Sequence, residues 1–374
     1  MTDVHPPDTT MSSQPSQPAM KDKLFNLVVS NVVSNAVNVG NRLNLFKVLA
    51  RISSNDTPVL PEELARAANC KERYVREWCN CLACAGIIEV NSEEKFWIAE
   101  QNVEDLTNDG FALVGNGMMA TLLEPVDQLI ECFKKDGPYG LDYSQFHNFQ
   151  SFMGSMSKSL HEKHIVADML PAIGHGVVEK LEAGGIRVLD VGCGGGFHSS
   201  LLAQQYPKAQ FVGLDIGEDA IKQAKERRTT SGEPFENLQF VQCDAGKMPN
   251  DWTSSFDLVL IFDACHDQCR PDLCVQQINR VLKPRGVFAM VEVLGSSNVF
   301  TDRETLGPKA AMMYGCSMFH CLPVGSNCKD ALGYGAMWGR RRAIDLLNAC
   351  GFPDVSVIET PYFPINVMYL ANKN

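Results

Sequence analysis

The chain has 374 residues, enough for two domains with sizeable cores, and 45% of its residues are hydrophobic. Its formal net charge of −11 argues against a nucleic-acid partner, because phosphate binding needs clustered basic side chains. Composition therefore favours a protein that acts on a small molecule.

The N-terminal region is predicted to contain a tail and then a helix. Residues 1–20 hold four prolines, two aspartates and no arginine, which indicates a disordered tail rather than a signal or transit peptide. Residues 24–39 are apolar but interrupted by asparagines, which predicts an amphipathic helix rather than a membrane span. One face of that helix carries Leu24, Val28, Val32 and Ala36.

Three helices and a hairpin follow, at residues 43–50, 61–68, 71–85, 87–90 and 95–98. This order describes a winged helix, a domain whose simplest function is DNA binding. Over residues 41–100, however, eight basic side chains are matched by nine acidic ones. No basic surface emerges, so we expect no nucleic-acid partner.

The fourteen cysteines are expected to be reduced thiols of a cytoplasmic protein without a membrane partner, because no export signal precedes them. Cys79, Cys81 and Cys84 fall in a helical pattern that separates Cys79 from the other two. Cys316, Cys321 and Cys328 lack the paired knuckles of a structural zinc site. No metal site is predicted.

A glycine-rich turn is the most informative motif of the chain. Residues 187–197 indicate a strand, a turn with Gly192, Gly194 and Gly196, and the start of a helix; a second strand ends at Asp215. A Cβ atom at these glycines would fill space that a ligand needs, and Asp215 can accept hydrogen bonds from ribose hydroxyls. Alone, this unit fits either a dinucleotide or S-adenosylmethionine.

Three neighbouring features favour S-adenosylmethionine. Asp190 could bind the ammonium of an amino acid but would repel a pyrophosphate. A third strand ends at Asp244 and Ala245, which suit an adenine ring. A fourth strand, residues 255–263, is followed by a helix and a fifth strand, residues 287–293. Together these segments resemble the class I S-adenosylmethionine-dependent methyltransferases.

The resemblance implies an α/β fold with a Rossmann-like, seven-stranded sheet. The winged helix is similar to the dimerisation domain of two-domain small-molecule methyltransferases, including the plant-type O-methyltransferases, so a homodimer is expected. The predicted organisation is a winged-helix domain at 21–104, a helical connector at 105–175 and a methyltransferase domain at 176–374. Further cofactor contacts are expected from Met153, in a Phe-x-x-x-Met element, and from Ile216, Phe262 and Asp263.

Cys265-His266-Asp267 follows the fourth strand and resembles the catalytic segment of plant-type O-methyltransferases. That resemblance implies that the His266-Asp267 pair is catalytic, with His266 as the general base, and that Glu292, at the end of the fifth strand, orients the imidazole. The chemistry is consistent, because a hydroxyl acceptor must lose its proton as it attacks the methyl group. Gln268 departs from the family's tryptophan, and Asp267 could instead cap the helix that begins near Pro271.

The insertion at residues 300–338 is rich in methionine and aromatic residues, which predicts an ordered lid over the acceptor, with Tyr314 and His320 as acceptor contacts. The expected function is methyl transfer from S-adenosylmethionine to a small molecule, at a hydroxyl oxygen. A thiol acceptor is the alternative, because a thiol is already partly ionised. A cofactor-sensing winged-helix regulator is the alternative outside enzymes.

Overall fold

A computed structural model of the chain describes residues 19–108 and 110–374. The predicted tail at residues 1–20 lies outside them, apart from Ala19 and Met20. The chain divides into two compact units, Met1–Gly117 and Met118–Asn374. This division falls within the predicted connector at residues 105–175. Across the described ranges, no helix combines the length and the apolar character that a bilayer span requires.

The first unit is mainly helical with one small hairpin. Its helices and strands are α1 Met20–Arg42, α2 Leu45–Ile52, α3 Pro61–Ala67, α4 Glu72–Cys84, β1 Glu89–Val90, β2 Phe96–Trp97, α5 Val103–Thr107 and α6 Phe111–Val114. Short 3₁₀ turns cover Glu100–Asn102 and Gly115–Gly117. Strands β1 and β2 pair antiparallel, as expected for a wing.

A tryptophan of α4 fixes the packing of this unit. The Trp78 ring meets Phe46 edge-on at 5.1 Å between centroids, and its Nε1 atom donates to the carbonyl of Ala36 at 2.9 Å. Gly40 allows the close approach of α1, because a Cβ atom there would lie 2.5 Å from the Trp78 ring. The carboxyl-terminal half of α1 is thereby held in the winged-helix core.

The amino-terminal half of α1 exposes its apolar face instead. The predicted helix is present, but the exposed fractions of Leu24, Val28 and Val32 are 56%, 61% and 58%. Phe25, Leu27 and Val29 are exposed as well. The unit itself does not cover this apolar surface.

The second unit begins with helices and continues into an alternating α/β segment. It begins with α7 Met118–Leu122, α8 Val126–Cys132, α9 Phe149–His164, α10 Leu170–Ile173 and α11 Val177–Ala183. The alternating segment contains β3 Arg187–Val191, α12 Phe197–Gln205, β4 Gln210–Asp215, α13 Glu218–Lys225, β5 Leu238–Gln242, β6 Phe256–Phe262, α14 Pro271–Val281 and β7 Leu282–Val293. Its last elements are α15 Val299–Leu306, α16 Pro308–Cys316, α17 Leu322–Gly325, α18 Gly339–Ala349, β8 Val355–Glu359 and β9 Asn366–Asn372.

Seven strands form one sheet in the order β5-β4-β3-β6-β7-β9-β8. Strands β3 to β7 are mutually parallel, whereas β9 runs antiparallel to both β7 and β8. This arrangement confirms the predicted α/β fold class and its final hairpin. The order reverses at β3 and β6, and such a reversal opens a ligand crevice at the carboxyl ends of the strands.

The insertion after β7 is ordered and mainly helical. Helices α15, α16 and α17 occupy most of it, and a π-helical segment, Ser317–Cys321, joins α16 to α17. A second π-helical segment, Ile165–Met169, continues α9. Short 3₁₀ turns lie at Tyr143–Gln145, Ala245–Lys247, Asn250–Trp252 and Ala336–Trp338.

Candidate active site

The glycine turn between β3 and α12 has the conformation that the motif predicts, but two of its glycines are needed for a different reason. Gly192, Gly194 and Gly196 have φ angles of +69°, +52° and +74°, a region that favours glycine. A Cβ atom at Gly192 would lie 2.5 Å from Ala264, and one at Gly196 would collide with Phe240. Only at Gly194 does the added atom meet nothing within 4 Å. Gly194 is thus the position at which a ligand can approach the backbone.

Asp215, the last residue of β4, closes this turn. One of its oxygens accepts the backbone N–H of Gly194 at 2.8 Å, and the other accepts that of Gly217 at 2.8 Å. A carboxylate oxygen has two lone pairs, so each oxygen can still accept a hydroxyl. Burial raises the pKa of Asp215 above its usual range, and the backbone hydrogen bonds oppose that shift.

Asp190 is the last residue but one of β3, near the carboxyl end of the strand, and its side chain is nearly fully buried. Its Oδ2 atom accepts from the Ser199 hydroxyl of α12 at 2.6 Å. Burial raises the pKa of Asp190 to about 6, although the Ser199 hydrogen bond acts in the opposite direction. A neighbouring ammonium would favour the charged carboxylate here.

The other predicted cofactor residues differ in how they are held. Asp244 caps a 3₁₀ turn by accepting the Gly246 N–H at 2.8 Å, and it leads into the buried Ala245. Ile216 is exposed, and Met153 is half-buried on α9. Phe262 packs against other rings, whereas both oxygens of Asp263 accept from Asn366 of β9, at 2.7 and 2.9 Å. Burial raises the pKa of Asp263 to about 7.

His266 and Glu292 meet in the buried interior of the second unit. The exposed fractions of their side chains are 3% and 0%. The Nδ1 atom of His266 and the Oε2 atom of Glu292 form a hydrogen bond. Glu292 is fixed in turn, because its Oε1 atom accepts the backbone N–H groups of Cys265 and His266 at 3.1 and 3.3 Å. The Trp338 indole Nε1 atom donates to Oε2 at 3.3 Å.

The other ring nitrogen of His266 faces two further side chains. Its Nε2 atom lies 3.4 Å from the Oδ1 atom of Asp267, and the ligand atoms of His266, Asp267 and Cys321 all lie within 4.8 Å of one another. The Tyr143 hydroxyl donates to the Oδ2 atom of Asp267. Asp267 therefore does not cap α14, which begins after Arg270 without a side-chain cap.

The charges around His266 decide its protonation. Burial alone would lower the pKa of His266, but the carboxylates of Glu292 and Asp267 outweigh it and raise that pKa well above its ordinary value. Burial also raises the pKa of the Cys321 thiol to about 12. The imidazole therefore keeps its second proton to a higher pH than a free histidine does, in a fixed orientation and next to a protonated thiol.

Of the two predicted acceptor contacts, the structure brings one to this cluster. His320 is buried and stacks on Phe149 with 3.5 Å between ring centroids; Phe146 and Tyr143 meet it edge-on. Neither of its ring nitrogens has a hydrogen-bond partner in the described part of the chain. Tyr314 instead donates its hydroxyl to the buried Asp302 at 2.8 Å.

The structure also contains a pair of hydrogen-bonded histidines that the sequence did not predict. The Nδ1 atom of His161 on α9 lies 2.9 Å from the Nε2 atom of His198 on α12. The Phe262 ring lies 4.6 Å from His161 and 4.9 Å from His198. Burial lowers the pKa of His161 to about 4 and that of His198 to about 3, so both imidazoles are neutral.

Comparison with known proteins identifies the two parts of the chain. Residues 182–330 match the family described as Methyltransferase domain, and residues 31–107 match the Rv2258c-like winged HTH domain. The chain therefore contains a methyltransferase domain of the class that uses S-adenosylmethionine, preceded by a winged-helix domain. These matches confirm the predicted resemblance, enzyme class and cofactor at the level of the domain.

Relatives and solved structures are similar over different lengths. A fatty-acid O-methyltransferase from Mycolicibacterium smegmatis is 36% identical over 114 residues, which are 30% of this chain and 39% of that protein. This chain thus matches less than half the length of that curated relative. A crystal structure of a protein from Nostoc punctiforme shares the fold with a TM-score of 0.69 at 17% identity, covering 96% of this chain and 100% of that one. Human N-acetylserotonin methyltransferase, solved with SAM, gives a TM-score of 0.60 at 16% identity and covers 97% and 100%.

Proposed function

We propose that the chain transfers a methyl group from S-adenosylmethionine to a hydroxyl oxygen of a small molecule, with His266 as general base. The observation that carries this proposal is the contact between His266 Nδ1 and Glu292 Oε2. Because Nδ1 is held by a buried carboxylate, Nε2 is the nitrogen left to take a proton. This geometry supports the roles that the resemblance implies for His266 and Glu292.

The residues of the sheet edge fit the cofactor. Gly194 leaves room for a ligand beside the backbone, and the oxygens of Asp215 keep lone pairs for two ribose hydroxyls. Asp190 supplies a buried negative charge for an ammonium group. Asp244 and Ala245 lie beyond the end of the neighbouring strand β5, where we expect the adenine.

When bound, S-adenosylmethionine supplies an electrophilic methyl group on its sulfonium. The chain's own task is then to deprotonate and orient the acceptor. In its neutral form, His266 accepts the hydroxyl proton at Nε2, and the Glu292 carboxylate stabilises the resulting imidazolium. Asp267, held by Tyr143, adds a second negative charge 3.4 Å from that nitrogen.

The relatives favour oxygen over sulfur as the methylated atom. The protein from Mycolicibacterium smegmatis is an O-methyltransferase by name, as is a malonyl-[acyl-carrier protein] O-methyltransferase from Legionella pneumophila that is 33% identical over 154 residues. A thiol acceptor needs less help from a base, so the buried His266–Glu292 pair also favours a hydroxyl. His320 and the rings of Phe146 and Phe149 would contact the body of the acceptor; Tyr314 stays a predicted contact.

The winged helix is proposed to pair two subunits rather than to bind DNA. Glutamates of α3 and α4 neutralise the arginines of α4. Arg73 is bonded to Glu77, and Arg76 is bonded to Glu62 and Glu72, at 2.5 to 2.6 Å. The exposed apolar half of α1 needs cover, which a second copy would supply. A cytoplasmic location fits the fourteen cysteines, all of which lie in described residues and are unpaired.

Incubation of the purified protein with S-adenosylmethionine labelled in its methyl group, together with an extract of small metabolites, would test the function. We expect a labelled product that carries its methyl group on oxygen, identified by mass spectrometry. The Asp215→Ala variant serves as the control that cannot hold the ribose. A product methylated on sulfur, or equal labelling by the control, would contradict the proposal.

A further inference from the structure

Three potential metal ligands converge beside the proposed base. The ligand atoms of His266, Asp267 and Cys321 all lie within 4.8 Å of one another, and the Nε2 atom of His266 is 3.4 Å from the Oδ1 atom of Asp267. The exposed fractions of the His266 and Asp267 side chains are 3% and 9%. His266 is thus buried and Asp267 and Cys321 are partly buried, unlike the exposed acidic groups that are common on protein surfaces.

The spacing suits a small tetrahedral ion. Zinc lies about 2.0–2.1 Å from histidine nitrogen and about 2.0–2.2 Å from carboxylate oxygen, so tetrahedral ligands of these types lie about 3.4 Å apart. The distance between Nε2 and Oδ1 agrees with this value. Cysteine sulfur, the third member, is a preferred ligand of the same ion.

The surrounding hydrogen bonds also match a metal site. A histidine that binds a metal through one nitrogen generally donates its other N–H to a carboxylate, and His266 is bonded in this way to Glu292. The second oxygen of Asp267 accepts from Tyr143, which orients the first. That first oxygen, Oδ1, has no hydrogen-bond partner among the residues that the structure describes. A buried carboxylate oxygen without a partner is costly, and a cation would satisfy it.

A second group of neighbouring ligand atoms provides a contrast. Asp263, His266 and Glu292 also lie close together, but their atoms are already satisfied. The Asp263 oxygens accept from Asn366, and the Nδ1 atom of His266 is bonded to Glu292. Only the side of His266 that faces Asp267 and Cys321 leaves ligand atoms available.

We propose that His266, Asp267 and Cys321 bind a thiophilic divalent cation of the zinc type, with the fourth position left for a small ligand. Binding would release the Cys321 thiol proton to solvent and would occupy Nε2 of His266. In that state the imidazole could not take a proton from an acceptor. The cation would therefore inhibit hydroxyl methylation, a consequence that rests on the proposed function, whereas the binding itself does not.

Titration of the reduced, full-length protein with Co²⁺ tests the site without any acceptor or methyl transfer. We expect one ion per chain to produce visible bands typical of four-coordinate Co²⁺ and a near-ultraviolet thiolate charge-transfer band, and Zn²⁺ to remove both. Cys321→Ser should lose the thiolate band. Cys316→Ser and Cys328→Ser, which remove thiols outside the cluster, should keep it.

Two further variants keep the test decisive if Cys321→Ser is unstable. Asp267→Asn should weaken Co²⁺ binding at least 10-fold, and Glu292→Gln, which removes the carboxylate that orients His266 and its loop, should weaken it about 10- to 100-fold. Thermal melting of each variant shows whether it is folded. An unchanged thiolate band in Cys321→Ser, or wild-type affinity in folded Asp267→Asn, would overturn the proposal, as would a wild-type protein that binds no Co²⁺.

Discussion

The Nδ1 atom of His266 is bonded to a carboxylate, Glu292, that itself accepts two backbone N–H groups from residues 265 and 266. The loop that carries the histidine is thus held by the same side chain that orients the imidazole. Strands β6 and β7 pair in parallel, with Phe262 opposite Val291, and this register brings the two residues together.

The first prediction concerns this pair. His266→Ala should lower the turnover of a hydroxyl acceptor by about 10²- to 10⁴-fold while cofactor affinity stays nearly unchanged, because the lost group acts on the proton of the acceptor. Glu292→Gln should act in the same direction, more weakly. Steady-state kinetics measure both, with the exposed His147→Ala as control. Full activity of His266→Ala would leave orientation as the source of catalysis.

A second prediction concerns the ribose. Asp215→Ala should weaken S-adenosylmethionine binding by about 1.5–3 kcal/mol for each charge-assisted hydrogen bond that is lost. The loss should include loosening of the glycine turn, because Asp215 also accepts the Gly194 N–H. Isothermal calorimetry checks this, and the exposed Glu226→Ala is the matched control. Wild-type affinity in Asp215→Ala would mean that the turn has another ligand.

The third prediction follows from the pKa of Asp190, which burial raises to about 6. Only the carboxylate attracts an ammonium, so cofactor affinity should fall as pH drops through about 6, by up to about tenfold per pH unit. Asp190→Asn should bind more weakly at pH 7 and lose this pH dependence. Calorimetry between pH 7 and pH 5 measures it, with the exposed Asp251→Asn as control. A flat wild-type profile would argue against contact with the ammonium.

The fourth prediction concerns acid stability and the His161–His198 pair. Burial lowers the pKa of both imidazoles, to about 4 and about 3, so below pH 6.5 the unfolded chain binds more protons than the folded one. Their stabilising contribution is present above pH 6.5 and is lost as pH falls towards 4, at about 1.4 kcal/mol per pH unit for each histidine.

Replacement of one member tests that assignment. His161→Gln keeps a hydrogen-bonding side chain but cannot titrate in this range, so its free energy of unfolding should depend less on pH between 6.5 and 4. Urea unfolding at several pH values measures the slope. His147→Gln, at an exposed position, should retain the wild-type slope, and an equally steep slope in His161→Gln would show that other groups dominate acid unfolding.

The fifth prediction concerns assembly. If the apolar half of α1 pairs two copies, a charge at Val28 or Val32 should break the dimer, because both side chains would become buried on association. Light scattering at micromolar concentration should give a dimer for the wild type and a monomer for Val28→Asp. Ser30→Asp adds the same charge at an exposed polar position and should remain dimeric. A monomeric wild type would contradict the pairing.

Much of the sheet and its acidic residues could be predicted from sequence. Asp190, Asp215 and Glu292 lie at or near the ends of predicted strands, and parallel strands bring such positions to one edge. The glycine turn was also predictable, but the physical reason why positions 192 and 196 require glycine was not. Those glycines make room for Ala264 and Phe240, contacts that only the packed structure reveals.

The remainder of the site depends on contacts between distant segments. Tyr143 reaches Asp267 across 124 residues of sequence, and Cys321 comes from the insertion after β7. Neither belongs to a motif with fixed spacing. Residues of this kind become visible only when helices from separate parts of the chain pack over the sheet edge.

The π-helical turn at Ser317–Cys321 makes the site sensitive to chain length. A π turn holds one more residue than the α-helix around it, so deletion of one residue there would let the segment run as a regular helix. Because the wide turn absorbs the extra residue, the positions after it would keep nearly the same orientation about the helix axis. Gly325 would stay packed against the His266 carbonyl, whereas the side chains of the turn itself, Cys321 among them, would be replaced or shifted. Relatives that lack the extra residue are therefore expected to keep the helix after it and to differ in the side chains that this turn presents beside His266.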